Sequence, residues 1–443
     1  MPNESSSTPN SETVSATQST TASNGYRTYV LLLLTLVYAF NFIDRQIIGI
    51  LSPFIKADLG LDDAQLGYLK GIYFALLYTV CGLPIAWLAD RYNRVNIVSV
   101  SLALWSGFTA LSGLAQNYTQ LALARIGVGI GEAGGSPPSH SIISDLYAKE
   151  ERAGALAVYS LGIPFGIMAA FFASAFFLQG GSADWRMVMI SVGLPGVVLA
   201  LLLKFTVKEP QRTHTTSTVV QTSFKDSVKT LLSIPTWWGM CLGISFASFG
   251  NYAISTWSID FYSRAHSDFD ITTLLIVSGI INGTAYAAGV WLGGVWADKW
   301  GKRDKRGYAL LPAMMLVIGA PAFFFSLHVE NVWVSLGLLT VLLFTSGTYL
   351  GPCFAMAQTL APLNIRAMST ALFFFVLNII ALGGGPTLVG ILSQSLIESQ
   401  GQTEALRTSL SFLIITYTMA ILAFLWTSKK IINDWQKAEA RGS

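Results

Sequence analysis

The sequence predicts an all-α membrane protein with twelve transmembrane helices in two six-helix halves. Three observations predict it. Of 443 residues, 52% are hydrophobic and only 12% are charged, against roughly a quarter charged in soluble domains. Apolar runs recur along the chain, each near the about 20 residues that a bilayer core of about 30 Å requires. Two loops, one in each half, repeat the same short polar pattern.

The elements follow in order. Residues 1–25 are rich in Ser and Thr, with no apolar run and no basic start. They are expected to be a disordered cytoplasmic tail, not a signal peptide. The first half, 26–207, holds spans at 27–55, 64–88, 96–115, 118–146, 152–178 and 186–207. The longest polar stretch, 208–235, is read as a cytoplasmic linker. Its Phe224 to Ile234 portion suits a short amphipathic helix on the membrane face. The second half, 236–428, holds spans at 236–262, 271–297, 308–328, 331–358, 366–396 and 405–428, and residues 429–443 are a second cytoplasmic tail.

Orientation follows from basic residues, which favour cytoplasmic loops. Loops on one side hold most of the 27 Lys and Arg, including Arg91, Arg94, Lys204, Lys208, Lys299, Lys302, Arg303 and Lys429. That side is read as cytoplasmic, and an even number of spans puts both termini there, in the plasma (inner) membrane. A net charge of +3 gives nucleic-acid binding no support. Cys81, Cys241 and Cys353 lie in apolar segments, and the four histidines are scattered, so no metal site and no cofactor are expected.

The repeat carries a resemblance. Ala86 to Arg94, AWLADRYNR, follows span 2, and Gly294 to Arg303, GVWADKWGKR, follows span 8; Asp90 aligns with Asp298, and Arg91 with Lys299. Both resemble the signature loop of the major facilitator superfamily, G-x-x-x-D-[RK]-x-G-[RK]-[RK]. The second copy matches throughout, Gly301 included. The first has Ala86 and Asn93 where glycines are usual; Asn tolerates positive φ better than most residues, so the turn is expected to survive. The resemblance implies the major facilitator fold, with a substrate site between the halves near the midplane. It also implies gating loops: Asp90, Arg91, Arg94, Asp298, Lys299 and Gly301 would hold one face shut. Asn41-Phe-Ile-Asp44-Arg45 in span 1 and Arg125-Ile-Gly-Val-Gly-Ile-Gly-Glu132-Ala in span 4 resemble the Spinster family. Members of that family move lysolipids and sphingoid phosphates. Related organic-anion symporters share parts of both motifs.

Asp44, Arg45, Arg125 and Glu132 interrupt apolar helices. A charge at the bilayer centre costs ~2.5–3.5 kcal/mol on insertion scales, so such residues meet one another or water. Arg125 and Glu132 are seven apart and drift by only about 20°, so they share a helix face. Asp44 and Arg45 diverge by about 100° and cannot both point at one partner. Arg45 and Arg125 are candidates to bind an anionic head in bidentate fashion. Asp44 and Glu132 are candidates for proton coupling, with Arg125 as the switch between them. A buried ion-pair network that only fixes helix packing is the competing reading.

Weaker signals complete the reading. Lys70, in the outer turns of span 2, is expected to snorkel outward. The second half is read as lacking membrane-embedded acids or bases, with a largely apolar cavity wall that suits an amphipathic substrate. Asn251, Tyr252 and Tyr349 are further candidates for substrate binding. Gly162-Ile-Pro164-Phe-Gly166 and Gly383-Gly-Gly-Pro386 are candidate hinges or close-packing points. Gly129-Ile-Gly131-Glu-Ala-Gly134 fits a dinucleotide pattern but follows a membrane helix. His140-Ser-Ile-Ile-Ser-Asp145 fits an acyltransferase pattern without a catalytic domain, so no enzymatic activity is expected. The expected function is proton-coupled secondary transport of an amphipathic or lipid-like organic anion by a monomer in contact with membrane lipid. A symporter of small polar anions such as sugar acids, or a transport-inactive sensor, are the alternatives.

Overall fold

The computed structural model describes residues 23–179, 184–211, 224–362 and 365–441. The expected tail falls outside them except for its last three residues, as does part of the linker. Among the described residues, nine helices, ten if one bent pair counts as a span, are long and apolar enough to cross a membrane. One of these, Met368–Ala440, reverses at Gly401 and supplies two passes. Tyr118–Glu132 and Ser136–Leu146, each short alone, together supply another. Twelve passes result among the described residues.

Local chemistry sets the ends. Span 1, Asn24–Leu59, starts where Ser23 accepts a bond from Tyr26 N and stops at Gly60, whose φ of 63° suits glycine. Span 2 opens on a capping box in which Asp62 and Gln65 satisfy each other's backbone N–H. It comprises Asp63–Lys70 and Ile72–Arg91, broken at Gly71. Span 3, Arg94–Ser112, starts at Asn93. Contrary to expectation, Asn93 adopts φ −63° and uses its side chain to cap Asn96 N. A capping Asn needs no left-handed turn. Span 5 is Lys149–Ser160 with Gly162–Phe177, and span 6 is Trp185–Thr206.

The second half opens with the short helix Phe224–Leu232, bent 87° from span 7, Pro235–Ala265. Spans 8 and 11 carry π-helical turns, Asn282–Tyr286 and Asn378–Gly383. Such turns concentrate at functional places in helices. Span 8 runs from Ile271 to Gly301, span 9 is Gly307–Ser326, and span 10 is Val332–Gly347 with Leu350–Thr359. Span 11 starts at Arg366. Span 12 extends beyond the expected 428 to Ala440, because Trp435 stacks on Tyr308 and Arg441 donates to the Leu360 carbonyl.

Small residues let the helices approach, since lipid offers no hydrophobic drive for their association. Span 5 packs on span 1 through Gly162 and Gly166, which face Thr35 and Ala39. That contact makes these two glycines close-packing points. Spans 1 and 7, 2 and 11, and 5 and 8 join the halves. At the end opposite the termini, Gly67 faces Gly390 and Gly49 faces Thr256 backbone to backbone. Polar contacts across the halves cluster there too. Lys70 does not snorkel: it is 3% exposed, and its Nζ lies 2.6 Å from Asp260 Oδ2. Asp260, in span 7, is 1% exposed, so the second half does contain an embedded acid. The two residues stabilise each other's burial across 190 positions of sequence, a pairing that no local pattern reveals.

Candidate functional site

Spans 1 and 4 meet over a buried charge cluster. Tyr118–Glu132 is a helix thinned by Gly127, Gly129 and Gly131, which lie against Phe108, Phe74 and Trp105. This packing carries Arg125 and Glu132 inward at 2% and 1% exposure. Asp44 is wholly buried on span 1. Arg45, its neighbour, points elsewhere, as the helical offset requires.

Arg45 Nε donates to Glu132 Oε2 at 2.7 Å. Its guanidinium carbon also lies 4.6 Å from the Tyr78 ring centre, 5.3 Å from Phe42 and 5.4 Å from Phe74. Arg125 makes a different contact from the one expected of a switch between acids. Its Nη1 donates to the backbone carbonyl of Asp44 at 3.3 Å, and its guanidinium also stands over Phe74. The ion pair with Glu132 therefore belongs to Arg45.

Several polar atoms in this cluster have no hydrogen-bond partner. They include both carboxylate oxygens of Asp44, Oε1 of Glu132, Nε of Arg125 and Oδ1 of Asn41. Thr109 and Trp105 of span 3 approach Asp44 without completing a bond. Buried polar groups are normally paired. A cluster with spare donors and acceptors of both signs can take an anionic head on its guanidiniums and a proton on its acids.

The other candidates divide. Tyr252, on span 7, is half-buried and reaches the electrostatic surroundings of Arg45 and Glu132 from the second half. Asn251 accepts from Ser346 at 3.4 Å. Tyr349 is fully buried in the core of the second half, 3.3 Å from Ser248 Oγ. Tyr38 and Tyr78 were missed by sequence reasoning, although both lie in the surroundings of Arg45. Their signal was present as tyrosines inside apolar spans, but tyrosines are too common there to single out.

The gating-loop candidates also separate. The Asp90 side chain lies outside what is described. Arg91 folds back on Trp87, 3.9 Å from its ring centre. Arg94 is a clamp within the first half: it meets Asp145 at 2.5 Å, Glu209 at 2.6 Å, Ser141 and the Pro210 carbonyl. Asp298 accepts from Tyr308 of its own half at 3.1 Å, and Lys299 is exposed. Gly301 lies against the Tyr308 ring, leaving no room for a Cβ.

Comparison with known proteins adds four findings. The model of the Major Facilitator Superfamily matches residues 34–386. An MFS-type efflux pump of Mycolicibacterium smegmatis is 30% identical over 393 residues, 89% of this chain and 90% of that protein. Protein spinster homolog 1 of Xenopus laevis is 26% identical, covering 94% of this chain and 83% of its own. Among solved structures, a bacterial homologue of the human lysosomal transporter Spinster, in an inward-facing and unoccupied conformation, superposes with a TM-score of 0.85. It is 29% identical over 93% of this chain and 99% of that one.

Proposed function

The chain belongs to the Major Facilitator Superfamily, and from that premise we propose that it is a proton-coupled secondary transporter of an amphipathic organic anion. The lysophospholipid or sphingoid-phosphate type is the class favoured. The likeness to Spinster proteins supports that class, as does a site that combines two guanidiniums with a largely aromatic surround. The protein would act as a monomer in the inner membrane, both termini cytoplasmic, by alternating access. Closure at the end opposite the termini corresponds to the inward-facing state.

The single observation that carries the mechanism is the 2.7 Å Arg45–Glu132 ion pair beside an Asp44 carboxylate with no bonded partner. Arg45 retains 12% side-chain exposure while Glu132 has none. An anionic head entering the cavity therefore competes for Arg45 and not for its partner. Arg125, whose Nε has no partner, supplies the second fork, and Arg offers bidentate geometry to phosphate or carboxylate. Once Arg45 turns to substrate, Glu132 is left buried without a cation. An unpaired buried charge is costly, so it takes up a proton. Substrate and proton would thus load together, and re-forming the ion pair would release both. Asp44, next to the same carbonyl that Arg125 holds, is the second acid of the set.

The test is flux in proteoliposomes under an imposed pH gradient. A lysophospholipid, a sphingoid phosphate and a sugar acid are offered in parallel. Gradient-driven accumulation of the lipid-like anion is expected, with little of the sugar acid. Preference for the sugar acid would replace the substrate class. Binding without flux of either would make the protein a sensor.

A further inference from the structure

A second charge cluster lies at the end opposite the termini, and the reading above makes no use of it. Lys56 and Asp63 come from the first half, at the ends of spans 1 and 2; Lys70 ends the helix piece of span 2 that Asp63 begins. Asp260 and Arg264 come from span 7 in the second half, one turn apart. Across the halves, Lys70 Nζ sits 2.6 Å from Asp260 Oδ2, and Ser52 donates to the same oxygen. Arg264 grips Asp63 with two nitrogens, each at 2.8 Å. Ser393 Oγ donates to Asp63 at 2.6 Å, and Gln394 accepts from the Asp63 backbone N–H.

Each half also holds an internal alternative. Lys56 Nζ is 2.6 Å from Asp63 Oδ1, within the first half. Arg264 Nη2 is 3.8 Å from Asp260 Oδ1, within span 7, and that oxygen has no hydrogen-bond partner. If the halves part at this end, Asp63 keeps Lys56 and Arg264 can swing to the waiting oxygen of Asp260. Lys70 is the exception. Among the described residues its one ion pair is with Asp260, and its ammonium otherwise stands over the Trp257 ring at 3.5 Å, also on span 7.

We propose that this cluster is the outer gate and that it opens by exchange of ion-pair partners. Lys70 is the positioning residue that the opening sets free as the first cation an anionic substrate meets from outside. The proposal rests on the alternating-access reading. It accounts for three cations surrounding two acids: in the closed state every charge is paired, and in the open state one cation is surplus. A surplus cation on the span that also carries Phe74, the ring facing both arginines, attracts an anion. Lys70 also lies one turn from Phe74, whose ring faces Arg45 and Arg125, so the gate and the central cluster share one helix. Gly71 breaks that helix between them.

Partner exchange predicts shifts of opposite sign for two lysines of the same charge, which a merely structural network does not. Spin labels at the exposed outer-loop residues Gln116 and Glu330, with Cys81 replaced by serine, report the outer distance in proteoliposomes without substrate. Lys70→Gln removes a contact made only when closed, so the longer-distance population is expected to rise about fivefold or more. Lys56→Gln, added to Lys70→Gln, removes the partner that Asp63 needs when open, and is expected to reverse that rise. If Lys70→Gln is poorly folded, Lys70→Met, which keeps an apolar contact with the Trp257 ring and also removes the ion pair, is expected to open likewise. Shifts of the same sign for both lysines, or unchanged distances, would overturn the proposal. In flux, Lys70→Gln is expected to raise half-saturation for a lysophospholipid offered from outside but not from inside; equal changes on both sides would also overturn the role of Lys70. Absence of flux in the unmodified protein would count against the transport reading alone, because the distances test the gate without substrate.

Discussion

Arg45 and Arg125 reach the same aromatic ring from two different helices, each guanidinium carbon 5.4 Å from the centre of Phe74. The negatively polarised π-system of one ring thus helps hold two like charges near each other. Such contacts contribute about 0.5–2 kcal/mol each, more when desolvated. Phe74→Leu keeps much of the volume and removes the ring. Binding of an anionic head is expected to weaken by roughly 2- to 30-fold, the range that those energies convert to. Phe74→Tyr is expected to bind nearly as the unmodified protein does. Equilibrium binding in detergent checks both, and an unaffected Leu variant would remove the ring from the account.

Arg125 separates binding from packing. Its Nη1 bond to the Asp44 carbonyl is long, at 3.3 Å, and its Nε is unbonded, so little of its donor capacity is used at rest. Arg125→Lys keeps the charge but loses the planar fork. A clear loss of affinity is expected for Lys and a larger one for Ala, with thermal stability nearly unchanged for Lys. Full transport by the Lys variant would exclude bidentate recognition. A drop in stability without a change in affinity would make Arg125 a packing residue.

Arg94 should behave in the opposite way. It is 2% exposed and ties spans 3 and 4 to the segment after span 6 through Asp145, Glu209 and the Pro210 carbonyl. Arg94→Ala leaves two acids facing each other without their cation. Removing one member of a buried pair costs about 3–5 kcal/mol, and the partial exposure of Glu209, 23%, lowers that toward roughly 2–3 kcal/mol. A fall in apparent melting temperature is expected, with substrate affinity retained in the folded fraction. Unchanged stability would refute the clamp.

Gly390 sets how closely the halves meet at the outer end. A Cβ there would stand 2.8 Å from the Gly67 Cα and 3.0 Å from the Trp257 ring. One is backbone and the other a packed ring, so neither can yield cheaply. Gly390→Val is expected to hold the outer end apart, lengthen the Gln116–Glu330 distance and abolish net flux while outside binding persists. Normal flux in this variant would show that the two helices do not have to meet.

Much of this architecture was legible in sequence because its signals are local. Apolar runs gave the spans, the aligned Asp90 and Asp298 gave the repeat, and Asp44, Arg45, Arg125 and Glu132 stood out as charges in apolar helices. The helical offset of Asp44 and Arg45 implied that they do not both point at one partner, and Glu132 meets Arg45 while the Asp44 carboxylate has no bonded partner among the described residues. Lys70 was misread because its stabilising partner, Asp260, is 190 residues away in the other half. Asp260 itself, near the end of its span, does not stand out as a charge within an apolar run. Glu209 was hidden similarly, in a stretch that read as linker. Which acid meets Arg45 depends on side-chain direction between two helices, and periodicity within either helix does not supply it.

In the proposed mechanism, coupling rests on Asp44 and Glu132 acting as a set. Glu132 has one oxygen on Arg45 and one without a partner, and Asp44 has both without. Their surroundings include the same Arg125, so protonation of one changes the field at the other, and they would titrate together and not as separate sites. Glu132→Gln keeps an oxygen that can accept from Arg45 but removes the charge that substrate must displace. Substrate binding is therefore expected to persist or tighten, while flux driven by a pH gradient is lost. Asp44→Asn removes the other ionisable station without touching the ion pair, and gradient-driven flux is expected to fall with exchange of substrate for substrate preserved. Counterflow and gradient-driven uptake, measured side by side in proteoliposomes, separate these effects. If both variants still concentrate substrate in response to a pH gradient, neither acid couples the proton, and the Arg45–Glu132 pair serves only to bind substrate and pack the helices.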